Sequence, residues 1–115
     1  IKRSLGDALF VPPVATIVAS TEDIARQAIK EKLPHVGPNI ETVKRGLLAA
    51  YSSNYHSLGQ QGAVLVDKIL KGAKPTDLPI EQPFKLHLRI NLKTARAIGL
   101  EIPKDILFQA DEVIR

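Results

Sequence analysis

Side chains able to do chemistry are few and dispersed in this sequence. The three histidines, His35, His56 and His87, stand at ligand spacing neither from one another nor from an acid. Asp7, Asp23 and Asp67 are isolated carboxylates, each better explained as a helix cap or a surface pair than as a general base. His87 lies between Lys85 and Arg89 and reads as a solvated residue. For His56, on the first turn of a helix, solvation is favoured over a binding role, which stays open. No G-x-S-x-G elbow, phosphate loop, G-x-G-x-x-G fingerprint or H-E-x-x-H motif occurs, and zero Cys removes thiolate metal sites, thiol nucleophiles and disulfides. What remains suits recognition. Tyr51, beside the polar run Ser52-Ser53-Asn54, can stack on a ligand and hydrogen-bond it, or can pack in the core. Asn54 can cap a helix, reach a ligand, or do both.

These residues need a scaffold, and hydrophobic periodicity supplies one. Asp7–Val11 (DALFV) reads as a buried strand ending at Pro12. Ile17, Val18, Thr21, Ile24, Ala25, Ala28 and Ile29 form a helical stripe whose start is placed at Thr16, with a Ser20-Asp23 capping box as the competing start. His35–Gly37 is a minimal strand, and Pro38-Asn39 opens a turn through Ile40 to Lys44 that Gly46 stops. Leu47–Tyr51 (LLAAY) is a third strand, with Ser52-Ser53-Asn54 as its exit loop. Asn54 then caps a helix with an inner face of Leu58, Gly62, Leu65, Val66 and Ile69, closed at Gly72. Gly59 and Gly62 lower its helix propensity by about 1 kcal/mol each relative to Ala, which predicts a close neighbour on its first turns.

Three prolines stiffen the stretch 73–83 into an extended crossing segment. Phe84, Leu86, Leu88, Ile90 and Leu92 alternate with Lys85, His87, Arg89 and Asn91, predicting a strand with one wet face. Asn91 caps a helix through Ile98 that Gly99 closes, and Pro103 starts a last helical turn or two. Strands and helices in this alternation predict an α/β fold with parallel pairing and right-handed crossovers, whose ligands gather at the carboxyl ends of the strands. The loops that fall there are Pro12–Thr16, Pro38-Asn39 and Ser52–Asn54.

The whole chain narrows the function classes. With 44% apolar residues over 115 positions there is enough for one core. Sixteen Lys and Arg are interleaved with twelve acids, so the net charge of +4 reads as a solvated surface and no nucleic-acid partner is expected. No run approaches the ~20 apolar residues of a membrane span, and no signal peptide is visible. A chain without Met that opens on Ile1 reads as a fragment or a processed product.

Residues 63–115, "AVLVDKILKGAKPTDLPIEQPFKLHLRINLKTARAIGLEIPKDILFQADEVIR", closely resemble the carboxy-terminal end of ABC importer substrate-binding proteins, in the family with tryptophan-binding members. "KILKGAKPTDLPIEQP" and "INLKTARAIGLEIP" match without gaps, and weaker similarity runs upstream through "PHVGPNIETVKRGLLAAYSSNYHSLGQQGA" to "ALFVPP". The resemblance implies a three-layer, Rossmann-like parallel-sheet lobe of a type I periplasmic binding protein, residues 1–115 being part of a two-lobed whole. It further implies no enzymatic activity, no cofactor, no metal and an extracytoplasmic or periplasmic location. The implied partners are a small solute, a membrane permease and an amino-terminal lobe of the same protein, with self-association of this piece as a further expectation. The helix from Asn54 to Gly72 would sit with the other lobe.

By the same resemblance, the solute-binding residues are Pro13, Val14, Ala15, Thr16, Pro38, Asn39, Tyr51, Ser52 and Asn54. Pro13, Val14 and Ala15 would form an apolar wall, Tyr51 would stack, and Thr16, Asn39, Ser52 and Asn54 would hydrogen-bond, with amides near Thr16 receiving an anionic group. Where relatives carry P-T-D-N, Gly-Ser-Glu and Tyr-Gly-x-Asp, this chain has Pro12-Pro13-Val14-Ala15, Gly37-Pro38-Asn39 and Tyr51-Ser52-Ser53-Asn54. Loss of the acid disfavours a free α-amino acid and favours a solute with an apolar or aromatic face. A ligand-sensing regulatory lobe of the same fold is the alternative, and a nucleotide-dependent enzyme a remoter one.

Overall fold

Five strands, β1 (Leu9–Phe10), β2 (His35–Gly37), β3 (Ala49–Ser53), β4 (Leu86–Asn91) and β5 (Glu112–Ile114), form one sheet in that order. Six helices accompany them: α1 (Ala15–Ala19), α2 (Thr21–Lys30), α3 (Ile40–Lys44), α4 (Tyr55–Leu70), α5 (Leu92–Ile98) and α6 (Lys104–Gln109). The computed structural model describes residues 1–115 apart from the side chain of Arg3. Two compact units result, one of Ile1–Ser52 with His87–Arg115, the other Ser53–Leu86.

In the first unit β1 pairs parallel to β2, β2 to β3, and β4 to β5. The period-2 pleat sends Val11, His35, Gly37, Leu48 and Ala50 to a buried face. Two clusters fill it: Val11, Ala25 and Leu47 with Ile17 and Ile24, then Leu48, Ala95 and Ile98 with Ile29 and Leu92. The register Phe10↔Val36 and Val36↔Ala49 puts the opposite parity on the other face, where Phe10 remains 63% exposed. The strand expected over Asp7–Val11 is therefore shorter, and it is buried on one side only.

The helix expected from Thr16 starts one residue earlier, at Ala15, and breaks at Ser20, after which a second helix runs from Thr21. The cause is capture of carbonyls by side chains. Thr21 Oγ1 donates to the Val18 carbonyl at 2.6 Å, and Arg45 donates to the Val18 and Ala19 carbonyls at 2.8 and 3.0 Å. The Ser20-Asp23 capping box does not form; Ser20 Oγ donates back to the Thr16 carbonyl at 3.3 Å. The cap expected at Asn91 forms, and Asn39, expected only to open a turn, caps α3 in the same way, each side chain accepting two amide hydrogen bonds. Gly46 and Gly99 take the positive φ values of 108° and 73° that end α3 and α5.

The wet face expected of β4 does not survive folding. Arg89 and Asn91 are buried, because each finds backbone acceptors beyond its own strand: Ile40 for Arg89 and Val43 for Asn91. The third strand is displaced from Leu47–Tyr51 to Ala49–Ser53, so Ser52 and Ser53 lie in the strand instead of a loop. β5, unforeseen from the sequence, pairs Glu112, Val113 and Ile114 with Arg89, Ile90 and Asn91.

The second unit is α4 and the segment that follows it. Asn54 Oδ1 accepts the His56 amide at 2.8 Å to cap α4, and Gly72 follows its end at φ 101°. Gln61 is the single residue that α4 buries; it donates to the Gln82 carbonyl at 2.8 Å and to Glu81 at 3.1 Å, fixing the Pro-rich stretch to the helix. That stretch contains one 3-10 turn, Pro75–Asp77. The close neighbour expected at Gly59 and Gly62 is not found among the described residues, since a Cβ at either would meet nothing within 4 Å.

Candidate functional site

Parallel pairing brings the carboxyl ends of β1, β2 and β3 to one edge of the sheet. The first loop there leaves Val11, which is pinned by its amide to the Val36 carbonyl at 3.0 Å, and turns at Pro12, whose carbonyl accepts from Val14 at 2.8 Å. Pro13, Val14, Ala15 and Thr16 stand exposed at the start of α1. Arg45 closes the far end of that short helix and pairs with Glu22 at 3.4 Å, so α1 is anchored from α3.

The second loop is held more tightly. Asn39 Oδ1 accepts the Glu41 and Thr42 amides at 3.1 Å each, and Thr42 Oγ1 donates to the Asn39 carbonyl at 2.6 Å. Ser52 Oγ accepts the Ile40 amide at 3.1 Å, tying this loop to the end of β3. Arg89 Nη1 donates to the Ile40 carbonyl at 2.8 Å and to Glu41 at 3.3 Å, while Nη2 pairs with Glu112. Gly37 lets the loop leave the sheet, because a Cβ there would lie 2.1 Å from Thr42 Oγ1 and 2.7 Å from Leu47 Cδ1.

Behind this edge, on the open side of the sheet, Phe10, Val36, Gly37, Ala49, Ala50, Tyr51 and Leu88 line a shallow, apolar pocket of about 240 Å³. Tyr51 is 67% exposed, so its ring is available to a ligand and is not core packing. Among the described residues no group of three or more His, Asp or Glu is placed to hold a metal ion. His35 is buried, its Nδ1 2.7 Å from the Leu33 carbonyl, and His56 is exposed. His87, expected to be solvated, is half-buried with Nδ1 3.7 Å from Asp111 Oδ1.

A scan against family models matches residues 3–114 to "ABC transporter substrate binding protein". The chain belongs to that family. A curated relative, the tyrosine-binding protein of Clostridioides difficile (strain R20291), is 27% identical over 95 residues, covering 83% of this chain and 28% of its own length. Among solved structures, an ABC domain in complex with L-Trp from Streptococcus pneumonia is 32% identical with a TM-score of 0.86, covering 96% of this chain and 38% of that one. A conserved domain protein from Vibrio cholerae O1 biovar eltor str. N16961 is 28% identical, also at TM-score 0.86, over 95% of this chain and 37% of that one. The chain thus spans well under half the length of these relatives. Its fold is the α/β, Rossmann-like lobe of a type I periplasmic binding protein, and its family is one of solute-binding proteins, not enzymes.

In this chain the nine expected residues divide. Pro13, Val14, Ala15, Thr16, Pro38, Asn39, Tyr51 and Ser52 all lie in the first unit, at or beside the strand ends. Of these, Asn39 and Ser52 already hold backbone amides, and Tyr51 alone lines the pocket. Asn54 lies in the second unit as the cap of α4. Phe10, Val36 and Leu88 were missed as lining residues; the parity of the Leu9-Phe10-Val11 run, which cannot bury all three side chains on one face, was the available signal.

Proposed function

We propose that this chain is the solute-binding lobe of an ABC importer's binding protein, and that it takes the aromatic side of an aromatic amino acid for delivery to a membrane permease outside the cytoplasm. The observation that carries the reading is the apolar pocket lined by the exposed Tyr51 ring, in the unit whose first strand-end loop, Pro13–Ala15, is also apolar and exposed. Pockets that enclose a whole small ligand run to about 300–1,000 Å³. At about 240 Å³, open and apolar, this one suits one wall of an enclosure completed by a second lobe. The loops Pro12–Thr16, Pro38-Asn39 and Ser52–Asn54 contain no carboxylate, so polar recognition of the amino-acid head group is assigned to the other lobe. The unit Ser53–Leu86 is assigned to that lobe as well. Relatives named for tyrosine and solved with L-Trp support an aromatic solute.

The test is calorimetry of the full-length protein with L-tryptophan and L-tyrosine. Binding of either in the micromolar range or tighter is expected. Val14→Asp, which puts a charge against the ring, should weaken it at least about tenfold, the effect of roughly 1.4 kcal/mol. Failure of the parent protein to bind any aromatic amino acid sinks the reading; unchanged affinity in the variant removes the loop from the site.

A further inference from the structure

The buried cation of β4 takes no part in the reading of the site above, yet it touches the site's frame. Arg89 is 7% exposed, and its guanidinium reaches across to α3 and to β5. The two carboxylates it meets, Glu41 and Glu112, keep 55% and 46% of their side chains in solvent. The arrangement is therefore no sealed ion pair, and those carboxylates would return to water if the cation were removed. Its Nε finds no acceptor among the described residues, so burial here has a cost that a Met of similar length would avoid. Stability alone gives a poor account of this arginine.

What Arg89 does hold is Ile40, the first residue of α3 and the residue after Pro38-Asn39. Ile40 is gripped on both backbone polar groups by side chains from two strands. Ser52 on β3 accepts its amide at 3.1 Å, and Arg89 on β4 donates to its carbonyl at 2.8 Å. The register Arg89↔Glu112 fixes the guanidinium from behind, since Nη2 is paired with Glu112 while Nη1 faces Ile40. A planar fork that engages two separate partners transmits the position of β4 and β5 to the loop; a compact ammonium lacks that fixed fork.

We infer that Arg89 is a positioning residue for solute binding: with Ser52 it clamps the Ile40 peptide and so fixes the Pro38-Asn39 loop relative to Tyr51. The inference rests on the reading that the strand-end edge receives the solute. Arg89 touches no solute itself. Its contribution is loop order before binding, which lowers the cost of ordering on capture and shows as affinity.

The experiment uses the full-length protein with Arg89→Met and Arg89→Lys, read by amide hydrogen exchange and by L-tryptophan calorimetry. In Arg89→Met, exchange at Ile40–Thr42 should speed by about tenfold or more, the scale of one lost charge-assisted hydrogen bond, while α2 and α5 keep their protection. L-Tryptophan affinity should fall by a similar factor, and Arg89→Lys, which keeps the charge but not the planar fork, should recover part of both losses. Unchanged exchange at Ile40, or a uniform rise across α2 and α5, would overturn the inference by showing either no clamp or a general stabilising role. Should Arg89→Met fail to fold, Arg89→Lys decides alone, since loss of the bridge must loosen Ile40–Thr42 selectively. If the parent protein does not bind L-tryptophan, the proposed solute class fails while the exchange measurement still decides the clamp.

Discussion

At the scale of single residues, Gly37 shows how little room the site's frame leaves. Thr42 cannot give way to a new Cβ, because its hydroxyl is engaged with the Asn39 carbonyl at 2.6 Å and its side chain is buried. Leu47 on the other side is fully buried in the first core cluster. Gly37→Ala is therefore expected to destabilise by about 1–3 kcal/mol, the usual range for overpacking a filled interior. Urea denaturation of variant and parent measures it, and a midpoint unchanged within error would mean that the close approach of β2 and α3 is relaxed in solution. The same contact makes the loop stiff, which connects a packing detail in the core to the position of Pro38 and Asn39 at the edge.

At the scale of elements, local signals and distant ones separate cleanly. Asn91 and Asn54 were legible as caps, and Gly46, Gly72 and Gly99 as stops, because capping depends on neighbours within a turn. The break at Ser20 was not, since it depends on Arg45 arriving from α3, and β5 was not, since three residues make a strand only beside β4. Arg89 and Asn91 looked wet for the same reason: their acceptors, on Ile40 and Val43, lie far away in sequence. For the site, the strand-end loops followed from the order of elements, whereas Tyr51, expected at a strand end, lies in the middle of β3. Phe10 and Val36 did not follow, because an unbroken apolar run conceals which side chains face the open side. Helix α4 shows a local rule with no tertiary reason behind it in this chain. Its Gly59 and Gly62 have open space where a Cβ would stand. Gly59→Ala and Gly62→Ala should each stabilise by roughly 0.5–1 kcal/mol through reduced freedom of the unfolded chain and better helix propensity. Thermal melts of the isolated chain should rise for both; a fall at either would reveal a neighbour pressed against that turn.

At the scale of the whole molecule, the question is what covers the apolar surface that each unit leaves open. In the second unit, Leu58, Val64, Val66, Ile69 and Leu70 are exposed along α4, which buries only Gln61. A unit as short as Ser53–Leu86 falls below the roughly 40 residues at which a chain segment usually needs outside support to stay folded. The chain spans 28% of its curated relative and under two fifths of the matched structures, so relatives have more protein available to lie against such a face. The isolated chain lacks it, and the hydrophobic effect then favours a second copy as the nearest substitute. Sedimentation velocity across a concentration series should show reversible association of the isolated chain in the micromolar range, little changed by added salt because the contact is apolar. Val66→Lys combined with Ile69→Lys should shift the equilibrium to monomer, since like charges would face each other across the new interface. A chain that stays monomeric at every concentration would mean that the face of α4 tolerates water. Association unaffected by the two lysines would move the contact to the open side of the sheet, at Phe10 and Val36.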